Sequence, residues 1–105
     1  MAAALHIEQY GRELINKLIP GVASHCWMPQ DDDGYALSLH GGYWRIVVYP
    51  KSIHIKNAAG VTIYSHLPAI TSNNRTDLKR LWELVSIKVD ADIENDLGNI
   101  VKFHL

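Results

Sequence analysis

The sequence has a single cysteine, Cys26, in 105 residues. No internal disulfide can form, which favours a reducing compartment. Long apolar runs are missing too. Those present are short, such as "IVVY", far below the roughly 20 residues that span a bilayer, so no membrane partner is expected. The start, "MAAALHIEQYGREL", lacks a basic region followed by a long apolar stretch, so it does not read as a secretory signal. Together these absences point to a cytoplasmic protein. Charge of one sign is missing as well. Ten Lys and Arg stand against eleven Asp and Glu, a formal net charge of −1, so any electrostatic recognition must come from local patches. Repeats, linkers and low-complexity segments are also absent, and residues 1–105 read as one domain.

The motifs that announce chemistry are equally scarce. Six histidines, at 6, 25, 40, 54, 66 and 104, show no HxH or HxxxH spacing and no cysteine pair to assist them. A metal site would need distant residues such as His25, His66 and His104 to converge. Cys26 lies in the apolar "SHCWM", where a buried, inert thiol is expected. His25 is its neighbour, and adjacent strand residues point to opposite faces. In "DADIENDLG", 90–98, acids fall at alternating positions. The sixth-place glycine and the closing glutamate of a calcium loop are missing. No cofactor, no metal and no catalytic residue is assigned, and the chain is expected not to be an enzyme.

What is present is a pattern. Residues 5–19 place Ile7, Tyr10, Leu14, Ile15 and Leu18 on one helical face, with Gly11 beside the stripe as a point of close approach. Pro20-Gly21 ends that helix. Residues 22–28 read as a strand and "PQDDDG", 29–34, as a polar loop. In "SLHGGYWRIVVYP", 38–50, Gly41-Gly42 fit a two-residue primed hairpin turn. Leu39 then faces Trp44, Leu37 faces Ile46 and Tyr35 faces Val48. One face collects Tyr35, Leu37, Leu39, Trp44, Ile46 and Val48; the other is polar. That separation fixes the register, because a one-residue slip would flip every side chain. Turns at Pro50-Lys51 and at "NAAG", 57–60, continue the meander. They predict Ile53, Ile55, Val61 and Ile63 inside and His54, Lys56, Thr62 and Tyr64 outside.

A helix follows over 72–89, capped by Asn73 or Asn74, with Asp77 favouring its first turn. Leu78, Leu81, Trp82, Val85 and Val89 form its stripe. Residues 90–99 predict a short helical turn ended by Gly98, and the alternation in "IVKFHL", 100–105, a last strand. The fold class is α+β: an antiparallel meander of four to five strands, with an N-terminal and a C-terminal helix packed on one face.

Function must then come from the surface. The outer sheet face gathers Tyr43, Arg45, His54, Lys56 and Tyr64, with Arg45 and Lys56 adjacent on neighbouring strands. Asp31, Asp32 and Asp33 supply an acidic loop beside Trp27, a candidate interface anchor if it is not core, while Trp44 and Trp82 fit the core. A polarised surface of this kind suits a protein, or a protein–nucleic-acid complex, as partner. The expectation is a small interaction protein that binds and modulates or inhibits a larger macromolecule. It matches, in size and lack of catalytic motif, immunity proteins and the inhibitors of phage and mobile elements. The alternative is a nucleic-acid-binding module, with bases stacked on the face's aromatics and phosphates on its cations. An uncovered edge strand also allows a homodimer.

Overall fold

A computed structural model describes the backbone of residues 2–105 and the side chains from Glu8 onward. Its elements are α1 (Ala2–Gly21), β1 (Trp27–Pro29), β2 (Tyr35–Leu39), β3 (Trp44–Val48), β4 (Ile53–Asn57), β5 (Thr62–His66) and α2 (Asn73–His104). The five strands form one antiparallel sheet in the order β1-β2-β3-β4-β5. Both helices pack on the same side of it, so the α+β architecture is as the pattern implied.

The hairpin register follows from turn chemistry. Leu39 pairs with Trp44, Leu37 with Ile46 and Tyr35 with Val48. Gly41 and Gly42 have φ of 68° and 96°, and Tyr43 N–H donates to the His40 carbonyl, as a primed turn requires. His40 itself is left-handed, at φ 52°, so the turn begins one residue before the glycines. At 57–60 the Asn57 amide donates to the Val61 carbonyl and Gly60 takes φ 81°. The Asn57 side-chain oxygen accepts from the amides of Ala59 and Val61 and locks that loop.

The core lies between the inner sheet face and the helices. Leu37, Ile46, Val48 and Ile53 meet Ile15 and Leu18 of α1 and Leu78, Leu81, Val85 and Val89 of α2, all buried. Full burial of one such side chain is worth about 1.5–3 kcal/mol. The helices run side by side in the same direction. Glu8 and Arg12 lie near Asn73 and Asn74 at one end, and Ile19 and Pro20 near Leu84 and Ile87 at the other. Gly11 permits the crossing over β5, since a β-carbon there would overlap the His66 ring.

Several expectations are corrected. The cap of α2 is Ser72, whose hydroxyl accepts from the Arg75 amide at 3.2 Å. Asn73 and Asn74 lie inside the helix, and Asp77 falls beyond the first turn. There is no short turn at 90–99 and no strand at 100–105, because α2 is one helix of 32 residues. A lone Gly98 costs only about 1 kcal/mol relative to Ala and does not break it. The segment 22–28 is a 3-10 turn (Val22–Ser24) followed by the short β1. Tyr10 stands outside the core, 64% exposed. Ile7 lies outside the described side chains. Trp44 and Trp82 are half-buried, and the Trp82 indole N–H donates to the Asp33 carbonyl at 2.6 Å. Trp27 is a core residue, not an exposed anchor.

Candidate functional site

Antiparallel pairing builds the outer sheet face row by row. Ser38, Arg45 and Lys56 are cross-strand neighbours in one row. Ala36, Val47, His54 and Ser65 make the next. The second row is not open throughout: Ala36 and Val47 are buried, at 5% and 1% exposure, while Arg45 is exposed and His54 and Lys56 are half-buried. Arg45 and Lys56 stand opposite each other with like charge. The one ion pair among the described residues is Lys88–Asp92 on α2, so neither cation has a carboxylate partner.

His54 is held tightly. Its Nδ1 lies 2.7 Å from the Ser65 hydroxyl and its Nε2 2.9 Å from the Ser52 hydroxyl. The Tyr49 ring meets it edge-on, with centroids 5.6 Å apart. Burial lowers its pKa below the ordinary 6.5, and the nearby Lys56 charge adds to that. The ring is thus a neutral hydrogen-bonding bridge between β4, β5 and the β3–β4 turn.

The remaining candidates sit at the two ends of the face. Tyr43 marks the β2–β3 tip, 61% exposed, and packs edge-on against Trp44 at 5.1 Å. Asp31, Asp32 and Asp33 lie at the opposite end, in the β1–β2 loop. Asp32 and Asp33 adopt left-handed backbone, at φ 59° and 63°, which Asp tolerates better than most residues. Asp32 borders a shallow hollow with Tyr49, Lys51 and His54.

Tyr64 is not on this face. The β4–β5 pairing slips between Ile55 and Lys56, so that Lys56 pairs with Thr62 but Ile55 with Tyr64. Ile63 is the extra residue of a bulge. It and Val61, both expected inside, are 52% and 57% exposed. Tyr64 and His66 turn toward the helices instead. The Tyr64 side chain reaches the Gly11 backbone, and burial raises its pKa above the ordinary value. His66 is buried at 8% exposure and hydrogen-bonds Asn74. A bulge of this kind has no strong sequence signal, because Thr62, Ile63 and Tyr64 are all good strand residues.

Cys26 is exposed rather than buried. With His25 it borders a groove that also reaches Arg45, but no hydrogen bond joins the two. His66 and His104 are far apart, at the two ends of α2, about 45 Å along a helix of that length. His25, His66 and His104 therefore do not converge, and no group of three His, Cys, Asp or Glu side chains among the described residues is placed to hold a metal. No helix among them is long and apolar enough to cross a membrane.

Sequence reasoning missed the second half of α2. Every residue from Asp90 to Leu105 is exposed, including Ile93, Leu97, Ile100, Val101 and Phe103. The signal was available: Val89, Ile93, Leu97 and Ile100 continue the stripe of Leu78, Leu81 and Val85 at steps of three and four. Comparison with protein-family models, with curated proteins and with solved structures gave no match.

Proposed function

We propose that the chain is a small, non-enzymatic interaction domain that binds and modulates a larger macromolecular partner through the open face of its sheet. One observation carries the reading: Arg45, exposed, and Lys56, half-buried, are directly opposed on the outer face, without a carboxylate between them. Like charges so placed destabilise a sheet. An acidic surface docked on the face relieves that cost and gains two charge-assisted contacts. Tyr43 at the rim supplies an aromatic anchor of the type that dominates interfaces.

A nucleic-acid backbone would also answer to paired cations. The stacking half of that reading is weaker. Tyr64 points to the helices, and Tyr49 and Tyr43 are each engaged edge-on with a neighbouring ring. A protein partner is therefore the first choice, of the kind met by a cytoplasmic inhibitor or immunity-type protein.

The test pairs affinity capture with a charge reversal. Wild-type protein should retain a defined protein partner, and Arg45→Glu/Lys56→Glu should lose it while unfolding at the same temperature. Retention of the same partner by the double variant would remove the face from the reading. Fluorescence anisotropy with single- and double-stranded oligonucleotides at two salt concentrations decides the alternative. Salt-dependent binding that the double variant loses would put nucleic acid in the protein's place.

A further inference from the structure

We infer that the cavity between α1, the β5–α2 loop and the start of α2 binds a free α-amino acid with an apolar side chain, its carboxylate at the start of α2 and its ammonium at Glu8. None of the residues involved belongs to the outer sheet face, so a failure here leaves that reading untouched.

The cavity holds about 400 Å³, within the range of small-molecule sites. Its walls are fixed by the fold. Arg75 reaches back from α2 and donates from Nη1 to the Pro68 carbonyl at 3.2 Å. The Ser72 hydroxyl donates to the Ala69 carbonyl at 2.8 Å and accepts from the Arg75 amide. The Ser72 amide donates to the same Ala69 carbonyl at 2.9 Å. Segment 67–72 is thus tied to the helix it precedes. On the other side Gly11 lies so close to the His66 ring that a β-carbon would overlap it. That close approach brings Glu8 and Arg12 of α1 to the same opening.

The cavity has more polar groups than the fold uses. His66 lines it and is only 8% exposed. Its Nε2 meets the Asn74 side-chain amide nitrogen, while Nδ1 has no hydrogen-bond partner among the described residues. With Nε2 accepting from Asn74, the ring hydrogen sits on Nδ1, which is then a free donor. Burial lowers the pKa below 6.5, so the ring is neutral at pH 7. The Ser72 cap serves the Arg75 amide. The amides of Asn73 and Asn74 are left without a helical partner, at the positive end of a 32-residue helix. Glu8 and Arg12 stand four apart on α1, in the order that favours an ion pair, yet they form none. The one ion pair among the described residues is elsewhere.

Charge selects the ligand. The Arg12 guanidinium, the His66 Nδ1–H and the two first-turn amides are all donors, a set that receives a carboxylate. Glu8 is the one acid in the lining and opposes a simple anion, a doubly charged phosphate most of all. A ligand that carries a carboxylate and an ammonium answers both charges of the wall. Leu67, Pro68 and Ala69 supply apolar surface for its side chain.

NMR titration of the isotope-labelled full chain at neutral pH, with L-leucine and separately with acetate, is the test. L-Leucine should shift the amides of His66, Ala69, Asn73 and Asn74 to saturation. Acetate should need at least about tenfold more for half-saturation, and so should L-leucine against Arg12→Gln or Glu8→Gln, each of which removes one charge-assisted contact. Both residues are exposed, and an unchanged unfolding temperature shows that the fold is kept. Acetate should bind Glu8→Gln more tightly than the parent chain, because the repelling charge is gone. No saturable shift with L-leucine, acetate binding as tight as that of L-leucine, or L-leucine binding untouched by both substitutions would each overturn the inference.

Discussion

The two halves of α2 share one helix and one stripe but not one environment. Between Asn73 and Val89 the stripe residues Leu78, Leu81, Val85 and Val89 are buried in the core with the sheet and α1. From Asp90 on the same periodicity faces outward. The periodicity of a sequence therefore reports that a helix has an apolar side, and not what lies against it. Burial is decided by where the sheet ends. Five strands of three to five residues offer at most about 17 Å along each strand, against about 48 Å for a 32-residue helix.

The contrast can be broken most sharply by amide exchange. In the Leu97→Asp chain, amides of 78–89 should exchange more slowly than those of 96–104 by roughly several thousandfold, the factor that ~5 kcal/mol of stability represents. Equal protection would mean that the exposed half has a partner within its own chain. Truncation comes next. Leu81→Ala should cost about 2–5 kcal/mol in urea denaturation, whereas Leu97→Ala, at an exposed site, should stay within about 0.5 kcal/mol. The helix ends should respond with opposite signs. Ser72→Ala removes the cap of the anchored half and should cost about 1 kcal/mol. Gly98→Ala, at a site with open space around the added methyl, should raise helicity of the exposed half, by up to about 1 kcal/mol.

The smallest effect is the pH dependence of the anchored end. His66, beneath Gly11 and beside Asn74, has its pKa lowered by burial, with Glu8 opposing and Arg12 reinforcing. The unfolded chain takes up its proton near 6.5, before the folded chain does. Stability is therefore full above that value and falls as pH drops through it toward the folded pKa. His54 acts in the same direction. The unfolding midpoint should decline on acidification below pH 6.5, less steeply in His66→Gln than in the parent. A midpoint independent of pH across that range would mean that neither ring is held neutral.

Much of the sheet was legible in the sequence, because a period of two and a pair of glycines leave one register open. Arg45 beside Lys56 followed directly from that register. Tyr64 did not, since a single bulged residue reverses a face without altering composition. The C-terminal segment was misread for a related reason. In "IVKFHL" the apolar residues suit a strand, while Val89, Ile93, Leu97 and Ile100 suit a helix. Six residues cannot outweigh a helix already nucleated upstream and propagating at small cost per residue. Cys26, expected buried, is exposed, and Trp27, left open between core and anchor, is buried, because β1 is only three residues long and its start sets which neighbour points inward.

Consecutive strand order has a kinetic consequence. Each strand pairs with the one just before it, so the sheet closes through short loops whose entropy cost is low. The main contacts between elements distant in sequence belong to the helices: α1 against α2 and β5, and α2 against the Val22–Ser24 turn, β1 and β2. The pairings of the sheet are thus local in sequence, and the long-range part of the search falls to the two helices.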